Sequence, residues 1–123
     1  MKGVVSKDIS LELKGLGFNV RCTHYYEGEK LKTNNNVFGW DFNNSFLTCC
    51  SAPFYQQVFD WFRDKHDLWI EISKPHSWLL TILDKEQNKR MCLEDYDDYT
   101  EPTSYKEAQD VCIKRLIQIV KNG

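Results

Sequence analysis

The sequence predicts an α+β fold in two layers: an antiparallel sheet, made of a hairpin and a three-strand meander, with about three helices on one face. Three observations carry this expectation. Residues 54–66 and 104–121 each repeat apolar side chains at a helical period. Residues 68–73 alternate apolar and polar side chains, and two more β-rich runs follow at turn spacing. A length of 123 residues, 41% hydrophobic and 28% charged, suits a single domain, 1–123, that buries roughly two thirds of its unfolded surface without disulfides or metal.

The first element is read in "SKDISLELKGLGF". Ser6 is placed to cap a short helix in which Ile9, Leu13 and Leu16 recur at i, i+4 and i+7, and Gly17 with Phe18 reads as a glycine stop with its hydrophobic contact. "VRCTHYYEGEKLKTNNNVFGWDF" then supplies β-branched and aromatic residues. It is interrupted at Glu27-Gly28-Glu29 and at Thr33-Asn34-Asn35-Asn36, so a hairpin is expected, with one strand at about 20–26 and a weaker one near 37–42.

The segment "SAPFYQQVFDWFRDKH", residues 51–66, is dense in functional side chains and admits two readings. On a helical wheel Phe54, Tyr55, Val58, Phe59, Trp61, Phe62 and His66 share one arc, and Gln56, Gln57, Asp60, Arg63 and Asp64 fill the opposite one. The pattern is that of an amphipathic helix, with Ser51 as N-cap and Pro53 in the first turn. Hiding five or six of those apolar side chains contributes on the order of 10 kcal/mol before entropy, an upper bound.

"LWIEIS" sets Leu68, Ile70 and Ile72 against Trp69, Glu71 and Ser73, a half-buried strand. "SWLLTILD" and "RMCLED" complete the meander after the turns at Lys74-Pro75-His76 and Glu86-Gln87-Asn88-Lys89. Ser104 and Glu107 form a capping box opening a final helix. Its apolar stripe is Tyr105, Ala108, Cys112, Leu116, Ile119 and Val120, opposite Lys106, Asp110, Lys114, Gln118 and Lys121.

Composition narrows the function classes. A net charge of −2 gives no general attraction to phosphate backbones, so nucleic acid is not the first expectation. The amino terminus lacks an apolar signal region and no run reaches the length of a membrane span, which points to the cytosol. Five irregularly spaced cysteines fit a reducing compartment better than a disulfide framework. The Asn43-Asn44-Ser45 sequon has meaning only on export.

Candidate chemistry is sparse. Cys49 and Cys50 stand just before the proposed helix N-terminus, where aligned backbone dipoles favour a thiolate, but no Cys-x-x-Cys, Cys-His signature or glycine-rich elbow accompanies them, and free cysteine is commonly buried. "EDYDDYTE", residues 94–101, invites a calcium reading. Counted from Asp95, however, it puts Thr100 where an EF-hand needs glycine and Lys106 where it needs a bidentate glutamate. A solvated acidic loop is the simpler account. His24, His66 and His76 lack zinc-ligand spacing, and "GLGFNV" follows a helix, which excludes a dinucleotide or P-loop fingerprint. No cofactor or metal is expected.

Gln56, Gln57, Asp60, Arg63 and Trp69 remain as a candidate partner-binding face, although Asp60 with Arg63 is also an ordinary i,i+3 surface pair. Lys85, Lys89 and Arg90 gather around one proposed turn, and Trp69 is placed on the sheet face with Glu71; an aromatic on an open sheet face with nearby cations is how some single-strand binders are built.

Two stretches, "CSAPFYQQVFDWFRDKHDLW" and "TSYKEAQDVCIKRLIQIVKN", resemble small uncharacterised proteins encoded in phages and prophages of gut anaerobic bacteria. These share an S-A-P-x-x-Q-Q-x-F-x-W-F-R helix and a Y-x-E-A-x-x-x-C-x-x-x-L-I closing helix, and "LKGLGF" also fits. The resemblance implies an origin and carries over no functional residue. The expectation is thus a phage-derived, cytoplasmic accessory protein that binds another macromolecule, a protein before a nucleic acid. The rivals are a thiol-dependent enzyme using Cys49 or Cys50, and a nucleic-acid binder using Trp69 and the Lys85–Arg90 turn.

Overall fold

A computed structural model describes residues 3–34, 38–45 and 47–123. Its elements are α1 (Lys7–Gly15), β1 (His24–Glu27), β2 (Lys30–Thr33), a one-turn α2 (Phe42–Ser45), β3 (Cys49–Ser51), α3 (Tyr55–His66), β4 (Leu68–Ser73), β5 (Leu79–Asp84), β6 (Lys89–Cys92), a 3-10 turn at Leu93–Asp95 and α4 (Tyr105–Asn122). The class is α+β with antiparallel strands, as the sequence predicts. The hairpin and the meander form two separate three-stranded sheets, in the order β2-β1-β3 and β4-β5-β6. Each sheet lies in one of two compact units, Met1–Val58 and Phe59–Gly123.

In the first unit α1 has the ends its sequence encodes. The Ser6 Oγ accepts from the Ile9 amide at 3.3 Å. At the other end Gly17 adopts φ +90°, and the amides of Phe18 and Gly17 donate back to the carbonyls of Leu13 and Lys14, which closes a Schellman motif with Phe18 buried beneath it. Ile9 and Leu13 are buried as predicted.

The hairpin differs from expectation. β1 pairs with β2 across Gly28-Glu29, with Glu27 opposite Lys30, so the partner strand is Lys30–Thr33 and not residues 37–42. Of that expected strand, Val37 lies outside the described residues, as do Asn35 and Asn36 of the proposed turn. Trp40 forms a single bridge with Cys22 through two hydrogen bonds of 2.9 Å, and Phe42 already belongs to α2. β2 carries two lysines and one leucine, the composition of a solvated edge strand, and Lys32 pairs with Glu27 beside it.

Ser51 is not the cap of α3. It belongs to β3, which pairs with β1 on the side away from β2; its Oγ accepts from the Phe42 amide at 3.1 Å, and its own amide donates to Asn43 Oδ1. The helix begins at Tyr55. Pro53, buried before it, offers its carbonyl to the Val5 amide.

In the second unit the meander appears in the predicted order, and β4 alternates as expected, with Leu68 buried and Trp69, Glu71 and Ser73 exposed. α4 packs on β5 and β4. The Glu107 amide donates to Ser104 Oγ at 3.2 Å, which is half of the predicted capping box. The reciprocal half is displaced by one residue: the Glu107 carboxylate accepts from the hydroxyl and the amide of Thr103, bonds that hold it below the usual carboxylate range. The buried stripe is Ala108, Cys112, Ile113, Leu116 and Ile117. Tyr105, expected on that stripe, is 57% exposed and lies beside Trp78, ring centroids 6.1 Å apart.

Candidate functional site

The segment with the most functional side chains is shaped by burial. Tyr55, Val58, Trp61 and Phe62 are buried, Gln56 is exposed, and Arg63 pairs with Asp60 at 3.2 Å and with Asp64 at 3.1 Å. Phe54 departs from the predicted arc: it precedes the helix, bridges to Val4, and stays 39% exposed with its ring edge-on to His24. Gln57, predicted on the wet side, is a structural tie. Its Oε1 accepts from the Phe54 amide and its Nε2 donates to the Arg21 carbonyl. His66 packs against the rings of Trp61 and Phe62. Its Nε2 has no hydrogen-bond partner among the described residues, and burial, with the nearby charge of Lys65, holds its pKa below the ordinary histidine value.

The two adjacent thiols lie in β3, before Pro53, and not at the first turn of α3. Cys49 is 7% exposed and Cys50 3%. Cys49 Sγ sits 3.7 Å from Glu27 Oε2. Burial raises the Cys50 pKa, outweighing the lowering influence of Lys14 and Lys7. Burial likewise pushes Cys22 and Cys112 up to about 12.

The acidic run 94–101 is tethered to α4. Arg115 lies 3.9 Å from the centre of the Tyr96 ring and pairs with Asp98, and Glu101 accepts from the Trp78 amide. Among the described residues no group of three or more His, Cys, Asp or Glu is placed to hold a metal ion, and no helix is long and apolar enough to cross a membrane.

Of the predicted binding face, the structure brings Asp60, Arg63 and Trp69 together and leaves Gln57 outside the group. The junction is Asp67, between α3 and β4, in the left-handed conformation at φ +55°. Its carbonyl accepts from the Lys85 amide at 3.0 Å and its Oδ1 from the Trp69 indole at 3.2 Å. A single residue thereby fixes an indole and the start of the β5–β6 turn. Trp69 is 42% exposed, with the Arg63 guanidinium 5.4 Å and the Lys85 ammonium 5.5 Å from its ring centre, both within cation–π range.

Strand register extends the site. Trp69 lies opposite Leu83 and Leu83 opposite Arg90, so the three form one row across the sheet, and Arg90 comes within 3.8 Å of Glu71. Beside the row is an open cavity of about 300 Å³ lined by Leu83, Asp84, Lys85, Asn88, Lys89 and Arg90. Two features fix the turn around it: Asp84 Oδ1 accepts from the Gln87 amide at 3.1 Å, and Asn88 takes the left-handed conformation at φ +54° that asparagine tolerates. Asp67 is the residue that sequence reasoning missed; nothing in a lone aspartate after a helix announces two hydrogen bonds to distant partners.

No protein-family model matches the chain, and comparison with curated proteins and with solved structures finds no match.

Proposed function

We propose that this chain is a non-catalytic accessory protein of phage or prophage origin that works in the cytoplasm by binding another macromolecule, a protein, through the corner built on Asp67. The observation carrying this reading is Trp69, a large ring left 42% exposed yet held by its indole bond and flanked by two cations. An aromatic fixed in this way surrenders little conformational entropy on association, and tryptophan and arginine are the residue types that most often dominate binding energy. The rim mixes Asp60, Asp64 and Glu71 with Lys85 and Arg90, the polar surround that desolvated anchors require. The phage origin is supported by the two sequence motifs alone.

A capture experiment tests the reading. The immobilised protein is incubated with an extract of cells that carry its gene, beside Trp69→Ala and Arg63→Ala variants whose circular dichroism matches wild type. A partner retained by wild type and lost by Trp69→Ala is expected. Equal retention by all three, or recovery of chaperones alone, overturns the proposal.

A further inference from the structure

Resting on that reading, we propose that the partner places an acidic side chain in the cavity beside Trp69 and packs an apolar neighbour of that residue on the indole. Lys85 and Arg90 line about 300 Å³ of recess from the face that carries Trp69, and Lys89, opposite Asp84 in the ladder, borders it from the other face of β6. The carboxylate that shares the wall, Asp84, is itself buried and already accepts a turn amide. Lys89 makes no ion pair among the described residues, Lys85 faces a ring and not an anion, and Arg90 reaches Glu71 only at 3.8 Å. A carboxylate entering here would gain charge-assisted hydrogen bonds. Leu83 lines the recess and lies opposite Trp69 in the ladder, so a greasy side chain next to the carboxylate has a surface to cover.

A short anionic anchor fits the local charge better than a nucleic-acid strand. Asp60, Asp64, Asp67 and Glu71 belong to the same neighbourhood, through Arg63, Trp69 and Arg90. A phosphate chain crossing the indole would meet these carboxylates, whereas a single side chain can stay beside Lys85 and Arg90. The chain's net charge of −2 adds no long-range attraction for a polyanion.

The test is selection of peptides from a random displayed library on the full-length protein, followed by fluorescence anisotropy with the synthetic winners. Enrichment of Asp or Glu next to an aromatic or aliphatic residue is expected. Binding should weaken at least tenfold in Lys85→Glu/Lys89→Glu and fall with added salt. Both lysines are exposed, and Lys85→Gln/Lys89→Gln serves where charge reversal disturbs the fold. Failure of any peptide to enrich, peptides without an acidic bias, or acidic peptides indifferent to both lysine variants overturn this inference. Neutral peptides that still require Trp69 would overturn it while sparing protein binding, and a labelled oligothymidylate binding in place of any peptide would remove both.

Discussion

Gln57 reaches a residue 36 positions away, its Nε2 donating to the Arg21 carbonyl at 3.0 Å, while its Oε1 accepts from the Phe54 amide at 2.9 Å. The second bond closes the first turn of α3 in the manner of a capping-box glutamine, and the first ties that turn to the segment leading into β1. Gln57→Ala removes both and leaves a helix-end amide to find water. Urea denaturation should show a loss of about 1 to 2 kcal/mol. An unchanged midpoint would mean that neither bond persists in solution.

Gly39 and Gly15 form a contrasting pair. Gly39 has φ +72°, and a Cβ there would lie 3.0 Å from the Cys22 carbonyl oxygen and 3.1 Å from the Cys22 backbone nitrogen, atoms held by the Cys22–Trp40 bridge. Gly39→Ala should destabilise by about 1 to 3 kcal/mol. Gly15 is helical with open space around its Cβ position, and Gly15→Ala should stabilise by about 0.5 to 1 kcal/mol. Thermal melts of the two variants moving in the same direction would contradict the described backbone.

His66 should impose a pH dependence of known sign. Its folded pKa lies below the ordinary value because burial, then Lys65, disfavour the imidazolium. The unfolded state therefore binds more protons, so this contribution is fully present above the unfolded value of about 6.5 and is lost as the pH falls below it toward the folded value. The carboxylates with lowered pKa, Glu27 and Glu107, act in a more acidic range. Between pH 7.5 and 5.5 the denaturation midpoint of wild type should fall more than that of His66→Leu. Parallel losses would assign the effect to other groups.

The thiols should be slow. Among the described residues Cys22, Cys49, Cys50 and Cys112 are buried and Cys92 is half-exposed. A chromogenic disulfide at pH 7 should modify Cys92 first in the native protein and all five cysteines in guanidinium. A Cys49 or Cys50 that reacts as fast as free glutathione would revive thiol chemistry in β3.

Elements with a strong local signal were readable from the sequence. The Ser6 cap, the Gly17 stop, the apolar side of α3, the alternation in β4 and the start of α4 each rest on neighbours within four or five positions. The misplaced parts depend on distant partners. Ser51 carries the side chain of an N-cap but is claimed by β3, because β1 offers an open edge that only the folded chain presents. Lys30–Thr33 lacks the apolar content of a strand and is one because Gly28-Glu29 turns it back onto β1. Arg63 and Trp69 follow from the polar arc of the α3 wheel and the alternation of β4, whereas their convergence with Lys85 depends on a left-handed Asp67 and on the β4–β5 register, neither of which has a sequence signature.

That dependence yields the sharpest test of the site. Asp67 provides two separable things, a backbone at φ +55° and a side-chain acceptor for the Trp69 indole. Asp67→Gly preserves the first, since glycine adopts positive φ without strain, and deletes the second. Asp67→Asn tolerates the conformation and keeps an oxygen for the indole. Both variants should fold with stability within about 1 kcal/mol of wild type, because the exposed indole bond is one hydrogen bond on a wet surface. They should part in binding: Asp67→Asn should retain the captured partner, and Asp67→Gly should weaken it several-fold by freeing the ring to rotate. Equal binding by the two would show that the partner does not need a fixed Trp69, whereas loss of binding in Asp67→Asn alone would show that the carboxylate charge, and not ring orientation, matters to the interaction.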